Sequence, residues 1–280
     1  MNAIQGIILG IVQGIGEFLP ISSSGHLLLA RILMGIDDTN GAYKVLDILM
    51  HIGTLVPVII VFWKEWMDML RHPVKNKLLL YLFVASVPTL IIYMGAKLLF
   101  PAVHGFSVFD SGWFLGGAFL ITSLFLLFTD VVAQRRRRTV ARPGLPQVIV
   151  MGCMQGIGLI QGVSRSGSTI AGGVFSGLNR KEAARFSFMM SAPAIVGSLL
   201  MEGKDALEEG LFAQLDPVPT LLGIVAAGIT GYLAIRLMLK LIEKVPMRWF
   251  ALYTAILGTA ILVLQLAGSP LVPAFAIAVP

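Results

Sequence analysis

The chain alternates long apolar segments with short polar loops. Six of the apolar segments are close to the roughly 20 residues that an α-helix needs to cross about 30 Å of hydrocarbon. They cover residues 45–63, 78–99, 113–133, 183–201, 220–241 and 249–266. The pattern predicts an all-α polytopic membrane protein with six transmembrane helices.

Two further apolar stretches are shorter and are broken by small and polar residues. One break lies at Pro20 and the other at Gly162, and each is followed by a cluster that contains serine. Backbone that leaves the helical conformation inside a bilayer is tolerated only where protein buries it or where it faces water. We therefore expect two re-entrant helical hairpins, at about 3–35 and 145–178, whose tips line one polar cavity.

The two broken stretches are copies of one another. Residues 10–25 align without a gap on residues 152–167, and eight of the sixteen positions are identical. Because the offset of 142 is close to half of 280, the alignment indicates an internal duplication. We predict one membrane domain, 1–280, built from repeats 1–142 and 143–280 with one hairpin and three spans each. An odd number of crossings inverts the second repeat, and inverted repeats are typical of secondary transporters.

Composition and charge support a multi-pass membrane protein. The chain is 56% hydrophobic and 13% charged, whereas about a quarter of a soluble domain is charged. Its net charge of +6 comes from Lys and Arg in alternate loops beside the spans, which marks cytoplasmic loops and not nucleic-acid binding. The acidic residues 202–209 form a predicted loop on the other side. This distribution places both termini outside, and the first hairpin enters from outside.

A candidate cation site begins with Glu17, which lies deep in an apolar stretch. An ionised carboxylate there costs several kcal/mol unless it is paired or hydrated, so it is a functional candidate. Gln13 lies four residues earlier, on the same face of a helix. The two oxygens suit Mg²⁺ or Ca²⁺ if water or phosphate oxygens complete the coordination. Alternatively, the pair only hydrogen-bonds to a neighbouring helix.

The serine clusters predict anion sites. They read Ser22-Ser23-Ser24-Gly25-His26 in the first half and Ser164-Arg165-Ser166-Gly167 in the second. Such clusters can merely join helices, but at a helix start they leave free amide donors for an anion. Arg165 inside the membrane needs an anionic partner, and its guanidinium matches phosphate. The two copies differ in chemistry, since the second replaces Glu17 with Leu159 and His26 with Ser168.

Histidines and aspartates complete the set of candidates. His26 can act as general base, general acid or nucleophile, or it can be a hydrogen-bonded spacer. We expect it beside Glu17 and Ser23 and favour a catalytic role. Four other residues near span ends are assigned to the membrane interface and left outside the site, namely Asp47, His51, Asp110 and Asp130. Together these candidates are the parts of a phosphoryl-transfer site for a lipid phosphate or pyrophosphate. They supply a carboxylate with a cation, an imidazole, hydroxyls, an arginine and helix N-termini.

The motifs that carry this chemistry resemble those of bacterial undecaprenyl-diphosphatases over nearly the whole chain. They are Gln13-x-x-x-Glu17, Pro20-x-Ser22-Ser23-Ser24-Gly25-His26 and Gly162-x-Ser164-Arg165-Ser166-x-x-Thr169. The resemblance implies hydrolysis of undecaprenyl pyrophosphate to the monophosphate and phosphate, which depends on a divalent cation, recycles the carrier lipid for cell-wall synthesis and confers bacitracin resistance. It also implies a site that faces outward from the bacterial plasma membrane.

The same resemblance implies roles for individual residues. Glu17 binds the cation or orients water, with Gln13 as a second ligand, and Arg165 neutralises the pyrophosphate. Residues implied to bind the substrate are Ser22, Ser24, Gly25, Ser164, Ser166 and Thr169. For the nucleophile, Ser23, His26 and a water activated through His26 remain alternatives.

Two other classes of membrane protein share parts of this pattern. Type 2 phosphatidic acid phosphatases also use Ser-Gly-His and Ser-Arg motifs, but they need a later histidine, and none follows Arg165 in this chain. A transporter or flippase of an isoprenyl phosphate lipid is the stronger alternative, because an inverted repeat with facing anion sites suits it. The expected partners are the polyisoprenyl pyrophosphate and the membrane, with a homodimer as one form of assembly.

Overall fold

The computed structural model describes residues 1–36, 42–73, 75–99, 111–136 and 139–268. These ranges contain eleven α-helices, one short 3-10 helix at Leu211–Gln214 and an isolated β-bridge, but no strand. The helices are α1 (Ala3–Phe18), α2 (Ser23–Leu33), α3 (Ala42–Val61), α4 (Trp63–Arg71), α5 (Leu78–Leu99), α6 (Gly112–Arg135), α7 (Leu145–Gly158), α8 (Arg165–Phe175), α9 (Arg180–Glu208), α10 (Pro217–Leu241) and α11 (Arg248–Leu266). The predicted all-α class is confirmed.

Five of these helices are long and apolar enough to cross a membrane, namely α5, α6, α9, α10 and α11. A sixth span results if α3 and α4 are counted together, and these two helices meet at an angle of 75°. The predicted span 45–63 is therefore interrupted at Phe62. The physical reason lies in α4, whose Lys64, Asp68 and Arg71 cannot follow the apolar path of α3 into hydrocarbon. The chain is a polytopic membrane protein, as predicted.

The acidic segment after the fourth predicted span is helical, which corrects the predicted loop at 202–209. Helix α9 continues to Glu208 and is 29 residues long. The carboxylate of Glu202 accepts hydrogen bonds from the Tyr93 hydroxyl at 2.7 Å and from the Ser198 hydroxyl at 2.9 Å. Gly203 and Ala206 are buried in the same two turns. Side-chain partners on α5 and on α9 itself thus extend the helix beyond its apolar part.

Glycines let the two short apolar helices pack closely against long helices. On α1, a Cβ at Gly10 would lie 2.9 Å from the Cβ of Ala226 on α10. On α7, a Cβ at Gly152 would lie 2.7 Å from the Cγ of Pro88 on α5. Small residues at such interfaces allow the backbone approach on which helix association in lipid depends. The first helix of each broken stretch therefore packs on a long helix from the other half of the chain.

The break regions lie beside the main hydrophobic core. Phe18, at the end of α1, is fully buried and meets Phe188 of α9 edge to face, with ring centroids 5.5 Å apart. Displaced by 142 residues, α2 coincides with α8 at both ends. The core thus fixes the end of α1 at the place where the polar residues of both breaks meet.

Asp130 is buried, which corrects its assignment to the membrane interface. Its side chain forms an ion pair with Arg180 and accepts hydrogen bonds from the backbone N–H groups of Met247, at 3.0 Å, and Arg248, at 2.8 Å. These contacts connect α6 to the beginnings of α9 and α11. Asp110 lies outside the described residues.

Candidate active site

The first polar turn joins α1 to α2. After α1 ends at Phe18, Leu19 and Pro20 lead to Ser22, whose hydroxyl accepts a hydrogen bond from the Gly25 N–H at 3.3 Å and caps α2. The backbone of Ser22 has φ +72°, and among the described residues no other non-glycine residue has a positive φ. Such conformations cost about 1–3 kcal/mol and persist only where surrounding structure holds them.

The second polar turn joins α7 to α8. Gly162 takes φ +82°, which a glycine adopts without a steric penalty. Ser164 caps α8, because its hydroxyl accepts a hydrogen bond from the Gly167 N–H at 3.0 Å. Its own N–H donates to the hydroxyl of Thr122 on α6 at 3.0 Å. Each turn therefore presents the capped N-terminus of a short helix.

The two turns contact each other through a reciprocal pair of serines. The hydroxyl of Ser24 accepts a hydrogen bond from the Gly162 N–H at 3.3 Å. The hydroxyl of Ser166, the counterpart of Ser24, donates to the carbonyl of Leu19 at 3.0 Å. The expectation that the two broken stretches meet is therefore met by direct contacts between them.

A buried carboxylate lies at the centre of this contact. Glu17 is 6% exposed, and its Oε1 pairs with a guanidinium nitrogen of Arg165 at 2.5 Å. Its Oε2 accepts hydrogen bonds from the Ser23 hydroxyl at 2.9 Å and from the Gln13 side-chain amide at 3.1 Å. Burial of either charge alone would be costly, so the pair across the two halves stabilises both.

His51 belongs to the surroundings of this carboxylate, and its assignment to the interface was wrong. Its Nε2 lies 3.4 Å from Glu17 Oε2, while its Nδ1 contacts the carbonyl of Asp47 at 2.6 Å. The sequence gives the same indication for His51 as for Glu17, because each is an ionisable residue in or beside a long apolar run. Asp47 pairs instead with Arg31 at 2.6 Å and connects α3 to α2.

His26 has different neighbours from those expected. Its Nδ1 contacts the carbonyl of Ser22 at 2.7 Å, and its Nε2 contacts the hydroxyl of Tyr253 on α11 at 2.7 Å. Its ring stacks on Tyr253 and meets Phe119 edge to face. Within the part of the chain that the structure describes, Ser23 and not His26 hydrogen-bonds to Glu17. The imidazole is therefore directed toward α11.

The remaining hydroxyls of the second turn are bonded to one another and to the backbone. Ser164 and Ser166 are buried with their hydroxyl oxygens 3.3 Å apart. Thr169 is buried, donates to the carbonyl of Arg165 at 2.8 Å and lies 2.5 Å from the hydroxyl of Ser187 on α9. Arg165 also donates to the Ser187 carbonyl at 3.3 Å. Ser187 thus supports Arg165 from a helix that the motifs do not include.

The residues around Glu17 fit a cation only with help from other ligands. In the described ranges no group of three or more His, Cys, Asp or Glu side chains could hold a metal ion. Gln13 Oε1 is buried and has no hydrogen-bond partner, while Nε2 of the same amide is the atom that contacts Glu17 Oε2. Two protein oxygens are too few for a Mg²⁺ or Ca²⁺ site made by protein alone, but they suit a cation that also binds phosphate.

The fold and the site together define a polytopic membrane protein with a buried carboxylate, serine and arginine between two capped helix starts. The chain belongs to the family described as bacitracin resistance protein BacA, which matches residues 6–260. It is 39% identical to the undecaprenyl-diphosphatase of Carboxydothermus hydrogenoformans over 269 residues, which cover 96% of this chain and 99% of that protein. It is 37% identical to the undecaprenyl-diphosphatase of Halothermothrix orenii, over 94% of this chain and 98% of the relative. A protein of the same name from Methanosphaera stadtmanae is 36% identical, over 95% of this chain and 99% of the relative. The family suggested by the motifs is confirmed.

Proposed function

We propose that this protein hydrolyses undecaprenyl pyrophosphate to undecaprenyl phosphate and inorganic phosphate, and so recycles the carrier lipid for cell-wall synthesis. The observation that carries the proposal is the part-buried contact of Ser23, Glu17 and Arg165, in which a hydroxyl, a carboxylate and a guanidinium meet. The names of relatives that match nearly the whole chain support the same substrate. Through this activity the protein would contribute to bacitracin resistance.

Substrate binding begins with Arg165. Its guanidinium is paired with Glu17 Oε1. A pyrophosphate oxygen that takes over this guanidinium relieves Glu17 of its counter-charge and makes the carboxylate a stronger base. The free amides at the starts of α2 and α8 bind further phosphate oxygens. The serines at both turns, together with Gly25 and Thr169, complete the proposed substrate-binding set.

In the covalent route, the Ser23 hydroxyl transfers its proton to Glu17 Oε2 while its oxygen attacks the terminal phosphorus. The bond between that phosphorus and the bridging oxygen breaks, and undecaprenyl phosphate leaves. Glu17 gives that proton to the departing undecaprenyl phosphate, and the ionised carboxylate then takes a proton from water, which attacks the phosphoserine. The bond between phosphorus and the Ser23 oxygen breaks, Glu17 returns the proton to Ser23, and inorganic phosphate is released. The 2.9 Å hydrogen bond between Ser23 and Glu17 favours this route over attack by His26. Direct attack of water on the substrate is the alternative.

A divalent cation, Mg²⁺ or Ca²⁺, is part of the proposal. Gln13 Oε1, which is buried without a partner, and the carboxylate of Glu17 are the residues that would hold it. A cation there would neutralise charge on the pyrophosphate. Because the protein offers few ligands, we expect the cation to bind together with the substrate.

The finer architecture is also a proposal. The packing of α1 on α10 and of α7 on α5 supports an inverted repeat, 1–142 and 143–280, with two re-entrant hairpins and six spans. Loop charges support a site and two termini on the outer face of a bacterial plasma membrane. A homodimer is the assembly that we propose to test by mass measurement in detergent.

The decisive experiment is phosphate release from a long-chain isoprenyl pyrophosphate by purified protein, with and without EDTA. We expect release that EDTA abolishes and that added Mg²⁺ or Ca²⁺ restores. Absence of release, combined with movement of lipid phosphate across sealed vesicles, would instead indicate the transporter. Persistent release in EDTA would contradict the cation but leave the hydrolase intact.

The nucleophile is tested separately. Substrate labelled in the terminal phosphate is mixed with the protein and quenched with detergent near neutral pH, where phosphoserine and phosphohistidine both survive, and peptides are examined for label. Label on Ser23 that disappears in Ser23→Ala supports the covalent route. Label on His26, or none with turnover retained in Ser23→Ala, would contradict it.

A further inference from the structure

The contacts of His26 define which of its nitrogens carries hydrogen. The Ser22 carbonyl can only accept, so Nδ1, at 2.7 Å from it, is the donor. In the neutral imidazole Nε2 is then unprotonated and accepts the hydroxyl proton of Tyr253 at 2.7 Å. The two rings are also nearly parallel, with an interplanar angle of 16° and centroids 5.6 Å apart. Both nitrogens of His26 are therefore occupied within the protein.

The carbonyl that His26 binds belongs to the residue with the strained backbone. Ser22, at φ +72°, also accepts the backbone N–H of His26 at 3.2 Å. The next residue is Ser23, whose hydroxyl donates to Glu17. A chain of contacts thus runs from α11 through Tyr253 and His26 to the backbone that positions the proposed nucleophile.

The second turn lacks this arrangement. Ser164, the counterpart of Ser22, has φ −77°, an ordinary value. Ser168 occupies the position of His26, and its buried hydroxyl has no hydrogen-bond partner. The strained residue and the histidine that holds it therefore occur together in one half, while neither is present at the matching place in the other.

We infer that Tyr253 is a positioning residue, which holds His26 against Ser22 and thereby keeps the Ser23 hydroxyl directed at Glu17. This inference rests on the proposed function in so far as Ser23 and Glu17 carry the chemistry. It assigns His26 the task of holding the turn and not of transferring a proton to or from the substrate. Because strain persists only where neighbours oppose it, loss of the Tyr253 hydroxyl would let Ser22 relax.

The test begins with Tyr253→Phe, which keeps the ring and removes the hydroxyl. We expect kcat to fall about tenfold while KM stays within about twofold, because positioning and not substrate binding is lost. The matched control is Tyr232→Phe, which removes the hydroxyl that accepts from Arg236 on α10 and should leave both constants unchanged. An unchanged kcat in Tyr253→Phe would overturn the inference.

Tyr253→Phe is also made in two variant backgrounds, which test whether its effect on kcat passes through His26 and Ser22. In His26→Ala, the additional change Tyr253→Phe should lower kcat less than about twofold, since the partner is already absent. In Ser22→Gly, where positive φ costs nothing, Tyr253→Phe should likewise have little effect. A full tenfold loss in the Ser22→Gly background would show that Tyr253 acts by proton relay and not by holding the turn.

An activity-independent measurement separates this inference from the proposed function. Nitrogen NMR of selectively labelled protein should show His26 with a protonated Nδ1 and an unprotonated Nε2. In Tyr253→Phe the chemical shift of Nε2 should move toward the value of a ring nitrogen that accepts no hydrogen bond. This change should occur whether or not the protein releases phosphate. A protonated Nε2 in the neutral ring would contradict the arrangement even if hydrolysis is observed.

Discussion

The turn after α1 and the turn after α7 share one backbone plan but carry different chemistry. Each ends an apolar helix, begins a short helix at a serine cap and sends one serine hydroxyl to the other turn. The first contributes the carboxylate of Glu17 and the hydroxyl of Ser23, whereas the second has Leu159 and Arg165 at those positions. The first turn lacks the guanidinium and the second lacks the carboxylate, so the ion pair exists only where the two turns meet.

Backbone strain is concentrated in the first of the two turns. The first turn uses a serine in a positive-φ conformation, and the second places its positive φ at Gly162, where it costs nothing. The strained serine directly precedes Ser23. The strained backbone and the proposed nucleophile thus occur in the same half, while the second half contributes the guanidinium of Arg165.

The largest expected effect comes from removing either charge of the pair. Glu17→Gln and Arg165→Ala should each lower phosphate release at least about 100-fold, or ~2.7 kcal/mol in activation free energy. The reason is that the first loses the base and the second loses the cation that binds the pyrophosphate. Initial rates on a long-chain isoprenyl pyrophosphate measure both. Leu159→Met, at the position that matches Glu17, is the control and should be near wild type, and normal turnover in both charge variants would refute the site.

A somewhat smaller effect is expected when the shared backbone plan is disturbed. A Cβ at Gly16 would lie 2.8 Å from the Cα of Ser23, and a Cβ at Gly158 would lie 2.7 Å from the Cα of Arg165. Gly16→Ala and Gly158→Ala should therefore each displace a reactive residue and lower kcat about 10- to 100-fold. Gly117→Ala on α6, where a Cβ meets nothing within 4 Å, is the control. A loss in only one of the two variants would show that the turns are not mechanically equivalent.

The paired glutamines are expected to differ in function. Gln13→Leu should raise the cation concentration for half-maximal activity about tenfold, because the unpartnered oxygen is lost. Gln155 Oε1 is likewise buried without a hydrogen-bond partner, but the amide nitrogen of Gln155 donates to Thr89 of α5 at 3.3 Å and not to Glu17. Gln155→Leu should leave the cation requirement unchanged and cost about 1 kcal/mol of stability. Titration of activity with Mg²⁺ measures the difference, and equal shifts in both variants would contradict the cation assignment.

The smallest effect concerns the serines that join the turns. Ser24→Ala and Ser166→Ala each remove one hydrogen bond between the two halves, at a cost of about 1 kcal/mol. Thermal unfolding in detergent should show similar small decreases for both. Ser86→Ala removes a hydroxyl that donates to the Leu82 carbonyl within α5, and it serves as the comparison. A much larger loss for one serine would break the predicted reciprocity.

The sequence alone was sufficient for the all-α membrane class, the positions of the apolar helices and the residue types at both turns. Hydropathy and repeat spacing are local properties of the chain, so they survive without knowledge of packing. The same spacing led to the expectation that Glu17 and Arg165 act together. In the structure Glu17 Oε1 lies 2.5 Å from Arg165 Nη2. The undecaprenyl-diphosphatase motifs are local in the same sense, because each is continuous in sequence.

Only the tertiary structure decided the lateral partners of these residues. Four contacts join helices that are distant in sequence. They are those of His51 with Glu17, Tyr253 with His26, Ser187 with Arg165, and Asp130 with Arg180. These contacts depend on how the packed helices rotate and cross. Close approaches at glycines, such as that of α1 to α10, determine this packing. Hydropathy identifies a helix but does not specify which neighbour each of its faces will meet, and for that reason the partner of His26 could not be read from the sequence.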